Sequence, residues 1–167
     1  MASSTDGPDL TGQTTERRTS EQTGESRDWS GLDRQVRLGA KALLHSDGRV
    51  LLVRERRTDG STFWTLPGGG VEPGESHREC LRRELREELR CRPAIGRMPV
   101  AACRYRHTTL EDTVTIYAVF PAGPVSDPAP NFAEGIVACA WCHPADPPGG
   151  TLSPFRDLLH SMADDRE

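Results

Sequence analysis

The feature that most constrains this chain is the run Leu66-Pro67-Gly68-Gly69-Gly70-Val71-Glu72-Pro73-Gly74-Glu75, with an acidic, arginine-rich segment directly after it. Consecutive glycines let a backbone pass close to a ligand with its amides and carbonyls exposed. The segment that follows is predicted to be a helix with a clear start. Ser76-His77-Arg78-Glu79 is a capping box, with Ser76 as N-cap and Glu79 reaching back to it. Leu81, Leu85 and Leu89 recur at every fourth residue and, with Cys80, make an apolar stripe. Pro93 pushes Arg92 out of helical geometry, so the helix is predicted to end there.

That stripe needs a sheet to pack on, and the chain supplies one. Val36, Leu38, Ala40, Ala42 and Leu44 alternate with other residues, then a Ser46-Asp47-Gly48-Arg49 turn leads to Val50-Leu51-Leu52-Val53, a pattern that predicts an antiparallel hairpin. Phe63 to Leu66 is a short strand that delivers the chain into the glycines. Strands are also predicted at Val100–Tyr105, Thr113–Phe120 and Ile136–Trp141, with a long Pro- and Asp-containing loop from Pro121 to about Asn131. A last amphipathic helix from Pro154 to about Met162 turns Phe155, Leu158, Leu159 and Met162 inward. The order strands, helix, strands, helix predicts an α/β chain.

Residues 1–33 are almost all polar and cannot bury enough apolar surface to offset their ordering entropy, so they read as a disordered tail. One domain is predicted over residues 34–163, with a short tail at 164–167. The net charge of -4 and the pI near 5.8 argue against a protein that wraps a nucleic-acid backbone. No apolar run is long enough to span a membrane, and five cysteines without a signal peptide point to the cytoplasm and to free thiols. Cys139-x-x-Cys142 with His143 invites a zinc site, but on a strand residues three apart face opposite sides.

At about 100° per residue, Glu84 and Glu88 share a narrow helical sector and Glu87 lies beside it. Taken alone, these carboxylates read as a solvated surface laced with ion pairs to Arg83 and Arg92. Their place in the C-terminal half of the helix opposes that reading, because the helix dipole disfavours negative charge there. A hard divalent cation, Mg²⁺ or Mn²⁺, relieves both conflicts.

The register between loop and helix resembles that of a known family. Gly69, Glu75, Arg83-Glu84-Leu85 and Glu87-Glu88, led in by Trp64-x-Leu66-Pro67-Gly68-Gly69, is similar to the Nudix box of the Nudix hydrolases, here over residues 69–91. The resemblance implies an α/β/α sandwich with a mixed sheet between the helices. It also implies metal-dependent hydrolysis of a P–O–P bond in a nucleoside diphosphate linked to another group, by water attack at phosphorus. Carried over by position, Glu87 and Glu88 become the principal metal ligands, Glu84 a further ligand or base, and the Gly68 carbonyl a backbone ligand. Arg83 orients the carboxylates, with Glu75 as its ion-pair partner. Family members often add a carboxylate from the loop before the last strand, and Glu134 is the best placed, with Asp112 and Glu111 next. One departure is Arg90-Cys91 where the box normally ends in glycine and an aliphatic residue, which again predicts a shifted helix end near Pro93.

Substrate choice is less legible. Arg54 and Arg56, and the cluster Arg104, Arg106 and His107, are candidate phosphate contacts; Trp64, Tyr105, Tyr117 and Phe132 are candidate base-stacking or packing residues. Nucleoside triphosphates, dinucleotide polyphosphates, sugar nucleotides, ADP-ribose and isoprenyl diphosphates all fit the box. A nucleotide-sensing module without catalysis is the rival reading, and a homodimer is left open.

Overall fold

The computed structural model describes residues 35–108, 112–123 and 127–164; residues 1–33 and 165–167 of the predicted tails and Glu111 lie outside this set, and Asp164 belongs to the last helix. The elements are β1 (Gln35–Ser46), β2 (Arg49–Arg56), β3 (Thr62–Thr65), α1 (His77–Leu89), β4 (Ala94–Ile95), β5 (Ala101–Arg106), β6 (Thr113–Gly123), a 3-10 turn (Phe132–Glu134), β7 (Ile136–Cys142) and α2 (Ser153–Asp164).

The seven strands form one mixed sheet. β1 runs parallel to β6 from Gln35↔Thr113 to Leu44↔Ala122, whereas its hairpin with β2 is paired only at His45↔Val50 and Ser46↔Arg49. β2 then diverges and carries β3 on one edge and β7 on the other, both antiparallel. The edge of β1 that β2 leaves bare is taken by the glycine loop: Ala40 N–H donates to the Gly69 carbonyl and Ala42 N–H to that of Pro67, each at 2.9 Å. The loop is therefore fixed by main-chain bonds to a central strand, and buried backbone groups on both are satisfied.

Strand alternation divides the core. Ala40, Ala42, Leu44, Leu51 and Val53 face the α1 stripe of Leu81, Leu85 and Leu89. Leu43, Val50, Leu52 and Val119 face Phe155 and Leu159 of α2. One helix thus covers each face, and the sheet is the middle layer of a sandwich. The hairpin alternation holds only in part, since Val36 and Leu38 at the start of β1 are exposed. Cys139 packs in the first core and Cys142 in the second, so the pair cannot close on one ion. All five cysteines are free thiols.

Two local predictions are corrected. α1 starts with the capping box at Ser76 and Glu79, but it ends at Leu89, ahead of Pro93, and Arg90 itself takes the left-handed cap at φ 54°. Its amide donates to the carbonyl of Arg86 (3.1 Å), which keeps the cap at a strain of about 1 kcal/mol for a residue with a Cβ. β6 also runs beyond Phe120 through Pro121 to Gly123, because β1 pairs alongside it and the Pro121 carbonyl accepts from Gly96 N–H at 2.8 Å.

Candidate active site

Arg83 organises the carboxylates of α1 and the loop before it. Its Nε and Nη2 donate to the two oxygens of Glu75, each at 3.0 Å, in a bidentate pair. Nη1 donates to Glu84 (2.8 Å) and Glu87 (3.3 Å), and Nη2 reaches the Gly70 carbonyl at 3.1 Å. One guanidinium thus ties the loop to the helix and holds Glu84 beside the glycines. The fit is close, since a Cβ on Gly69 would lie 2.5 Å from the Glu84 carboxylate.

Glu88 is held from the other side. It is 7% exposed, and one of its oxygens accepts Gly68 N–H at 2.8 Å. The Gly68 carbonyl accepts the ammonium of Lys41, which is itself 4% exposed. Gly68, Gly69, Gly70, Glu84, Glu88, Glu55 and Glu134 line one cavity of about 260 Å³, with Arg37, Lys41, Thr115 and Tyr117 completing the wall. A second cavity of about 290 Å³ adjoins it and shares Lys41, Glu55 and Tyr117; Phe63, Tyr105, His107, Leu152 and Phe155 are among its other walls. Aromatic and aliphatic side chains form one part of its lining, and Arg56, Arg57, Thr58 and Thr65 add charged and hydrogen-bonding groups to it.

The sequence profile of the NUDIX domain matches residues 33–160, three quarters of the chain. This chain belongs to that family. It is similar to a CTP pyrophosphohydrolase of Escherichia coli (strain K12), 45% identical over 33% of this chain and 42% of that protein, so the alignment spans less than half of that relative. It is also similar to the nucleoside triphosphatase NudI of Escherichia fergusonii, 36% identical over 62% of this chain and 79% of that protein. Among solved structures, the MutT NUDIX hydrolase from Burkholderia pseudomallei superposes with a TM-score of 0.66 at 25% identity, covering 75% of this chain and 97% of that one. The MutT protein from Methanosarcina mazei Go1 gives 0.69 at 23% identity over 81% and 99%, a likeness of fold.

Within this Nudix domain the predicted site residues part company. Gly68, Glu84, Glu88 and Glu134 meet at one cavity, and Arg83 stands behind it. Glu134 arrives on the 3-10 turn that Asn131 caps, and Asn131 is itself tied to α1 through the Glu87 and Glu88 carbonyls. The Glu87 carboxylate is turned to Arg83 and is not part of the cavity wall. Arg56 and His107 line the adjoining cavity; Arg54 bonds Thr62, and Arg104 is exposed on β5 away from both cavities. A bulge between Arg54 and Glu55 in the pairing with β7 accompanies this divergence of neighbours. Asp112 lies in neither cavity wall. Tyr105 and Tyr117 line the cavities, Trp64 packs against the second core, and Phe132 is exposed.

Lys41 and Glu55 were not singled out by the sequence. The signal for Lys41 was a charge inside Gly39-Ala40-Lys41-Ala42-Leu43-Leu44, a run with both faces buried.

Burial pushes the Glu88 carboxyl up to about 8, against the Lys41 ammonium and the Gly68 amide, which favour its ionised form. Burial likewise raises Glu84, opposed by Arg83. Glu75 is lowered, chiefly by its hydrogen bonds from Arg83. The sign for stability follows. Unfolded, Glu88 loses its proton near the ordinary glutamate value of 4.5; folded, it keeps it until about 8. In that window the folded state binds more protons, so stability is full below the lower value and falls as pH rises. Chelator-treated protein is expected to lose on the order of 3 kcal/mol between pH 5 and 8 in denaturant titrations. Glu88→Gln is expected to flatten that slope; an identical slope in the variant refutes the assignment.

Among the described residues no group of three acidic, imidazole or thiol side chains converges as a ready metal cage. Arg83 holds Glu84 and Glu87 toward itself instead. The donor set nevertheless fits a hard cation, being carboxylate and carbonyl oxygens. The Lys41 ammonium on the Gly68 carbonyl shows that this point already takes positive charge.

Proposed function

We propose that this chain is a divalent-metal-dependent Nudix pyrophosphohydrolase whose substrate is a nucleoside triphosphate, split at a P–O–P bond by water. The observation that carries the reading is the joining of a carboxylate-walled cavity to an aromatic one through Lys41, Glu55 and Tyr117. Phosphates belong in the first and the nucleoside in the second. The names of the relatives, CTP pyrophosphohydrolase and nucleoside triphosphatase, support a triphosphate over a sugar nucleotide or an isoprenyl diphosphate.

The Gly68 carbonyl, Glu84 and Glu88 would hold Mg²⁺ or Mn²⁺ in the cavity whose wall Glu134 shares, and Glu87 would join them by turning from Arg83. A bound divalent ion supplies Lewis acidity and a water of lowered pKa. The chain's own residues do the positioning. Arg83 sets Glu84 against the glycine loop, and Gly68 N–H fixes one oxygen of Glu88. Burial raises both carboxyls above the usual carboxylate range, Glu88 the further. Lys41 and Arg37, on the wall of the carboxylate cavity, offer positive charge to the phosphate chain.

A panel assay tests the substrate class. With Mg²⁺, nucleoside triphosphates are expected to give at least about ten-fold higher kcat/KM than ADP-ribose, sugar nucleotides or isoprenyl diphosphates. A preference for any of the latter replaces the substrate assignment. Nucleotide binding with no turnover on any member favours the sensing module.

A further inference from the structure

Lys41 is the unusual cation of this site. It stands on β1 between buried alanines, its ammonium bonds the Gly68 carbonyl, and it lines both cavities. From that same position the ammonium lies 5.2 Å from the centre of the Tyr117 ring and 5.9 Å from that of Phe155, so it also faces the aromatic cavity. The four-carbon lysine stem is flexible enough to carry its head from the glycine loop into either cavity that it lines. The Gly68 carbonyl is also a proposed metal ligand, and an ammonium and a divalent ion on one oxygen would repel strongly.

We propose that Lys41 is a built-in stand-in for the metal: it occupies the Gly68 carbonyl when no divalent ion is bound, and swings to the substrate phosphates when one is. The inference rests on the metal-site reading above. It makes Lys41 a substrate-binding residue that couples metal entry to phosphate binding, with opposite effects on the two ligands. Removing its charge leaves the carbonyl uncontested for metal and deprives the phosphate of a partner. A merely structural lysine gives no such opposition, since its loss would loosen the site for both.

The test uses the full chain with Lys41→Met, which keeps length and apolar stem, and Lys41→Arg, which keeps charge. Mn²⁺ binding is followed by electron paramagnetic resonance without substrate, and pyrophosphate binding to the Mn²⁺-saturated protein by calorimetry. Lys41→Met is expected to bind Mn²⁺ about ten-fold more tightly than wild type and pyrophosphate about ten-fold more weakly. Lys41→Arg is expected to stay within about three-fold of wild type for both. Unchanged or weaker Mn²⁺ binding in Lys41→Met, or unchanged pyrophosphate binding, overturns the inference. Absence of Mn²⁺ binding in wild type and variants alike instead removes the metal-site reading, and the inference with it.

Discussion

Glu88→Gln is expected to lower kcat/KM for Mg²⁺-dependent hydrolysis by about a thousand-fold or more while the protein stays folded. The side chain sits at the floor of the carboxylate cavity, where no other group can take its place without unmaking a hydrogen bond to the glycine loop. Glutamine keeps the size and still presents an oxygen to Gly68 N–H, so packing against the core survives. What it removes is negative charge at the one oxygen pair that is both buried and aimed at the site. Circular dichroism and thermal melting check the fold, and Mn²⁺ titration checks the ion. Wild-type turnover in the variant would end the assignment of Glu88 as a ligand. Such a loss must also be separated from simple destabilisation, and the pH slope does this: without a buried ionisable carboxyl, the metal-free variant should be at least as stable as wild type near pH 8.

Much of this site was legible because it is local in sequence. The capping box, the leucine stripe and the spacing from Gly69 to Glu88 lie within one loop and one helix, where period and register translate directly into shared faces. Glu134 was found by its place before the last strand, and the 3-10 turn carries it to the cavity. The misses depend on partners distant in sequence. Lys41 looks like a surface residue until β1 is placed mid-sheet, with α1 covering one face and α2 the other. Arg54 and Glu55 are neighbours on β2, and which of the two faces the site depends on the tertiary partners of that strand: Arg54 bonds Thr62 and Glu55 lines the cavity. At Arg90 the rule that a left-handed cap wants glycine was sound, but the backbone there is fixed by α1 and accepts the strain.

Gly68→Ala is expected to be the most damaging alanine substitution among the described glycines. Gly68 has φ +120°, in the left-handed half of the map where a side chain is strained whatever the space around it. The space is also missing: an added Cβ would lie 2.3 Å from the Ala40 carbonyl and 3.0 Å from a Leu81 methyl. The first obstacle is backbone of a central strand, which cannot turn aside as a side chain can. Ala40 and Ala42 hold the loop on either side of Gly68 through their bonds to Gly69 and Pro67, so relief requires peeling the loop from β1. Strain and overpacking together predict a loss of about 3–5 kcal/mol, read as a lower denaturation midpoint. The same movement withdraws the amide that fixes Glu88 and the carbonyl that Lys41 and the metal would share, so Mn²⁺ affinity should fall with stability. Gly70→Ala is the matched control, since its Cβ would meet only the end of the Arg37 side chain, at 3.2 Å, and should leave both stability and Mn²⁺ affinity nearly unchanged. Equal effects at the two glycines would mean that the loop is not held against β1 as described.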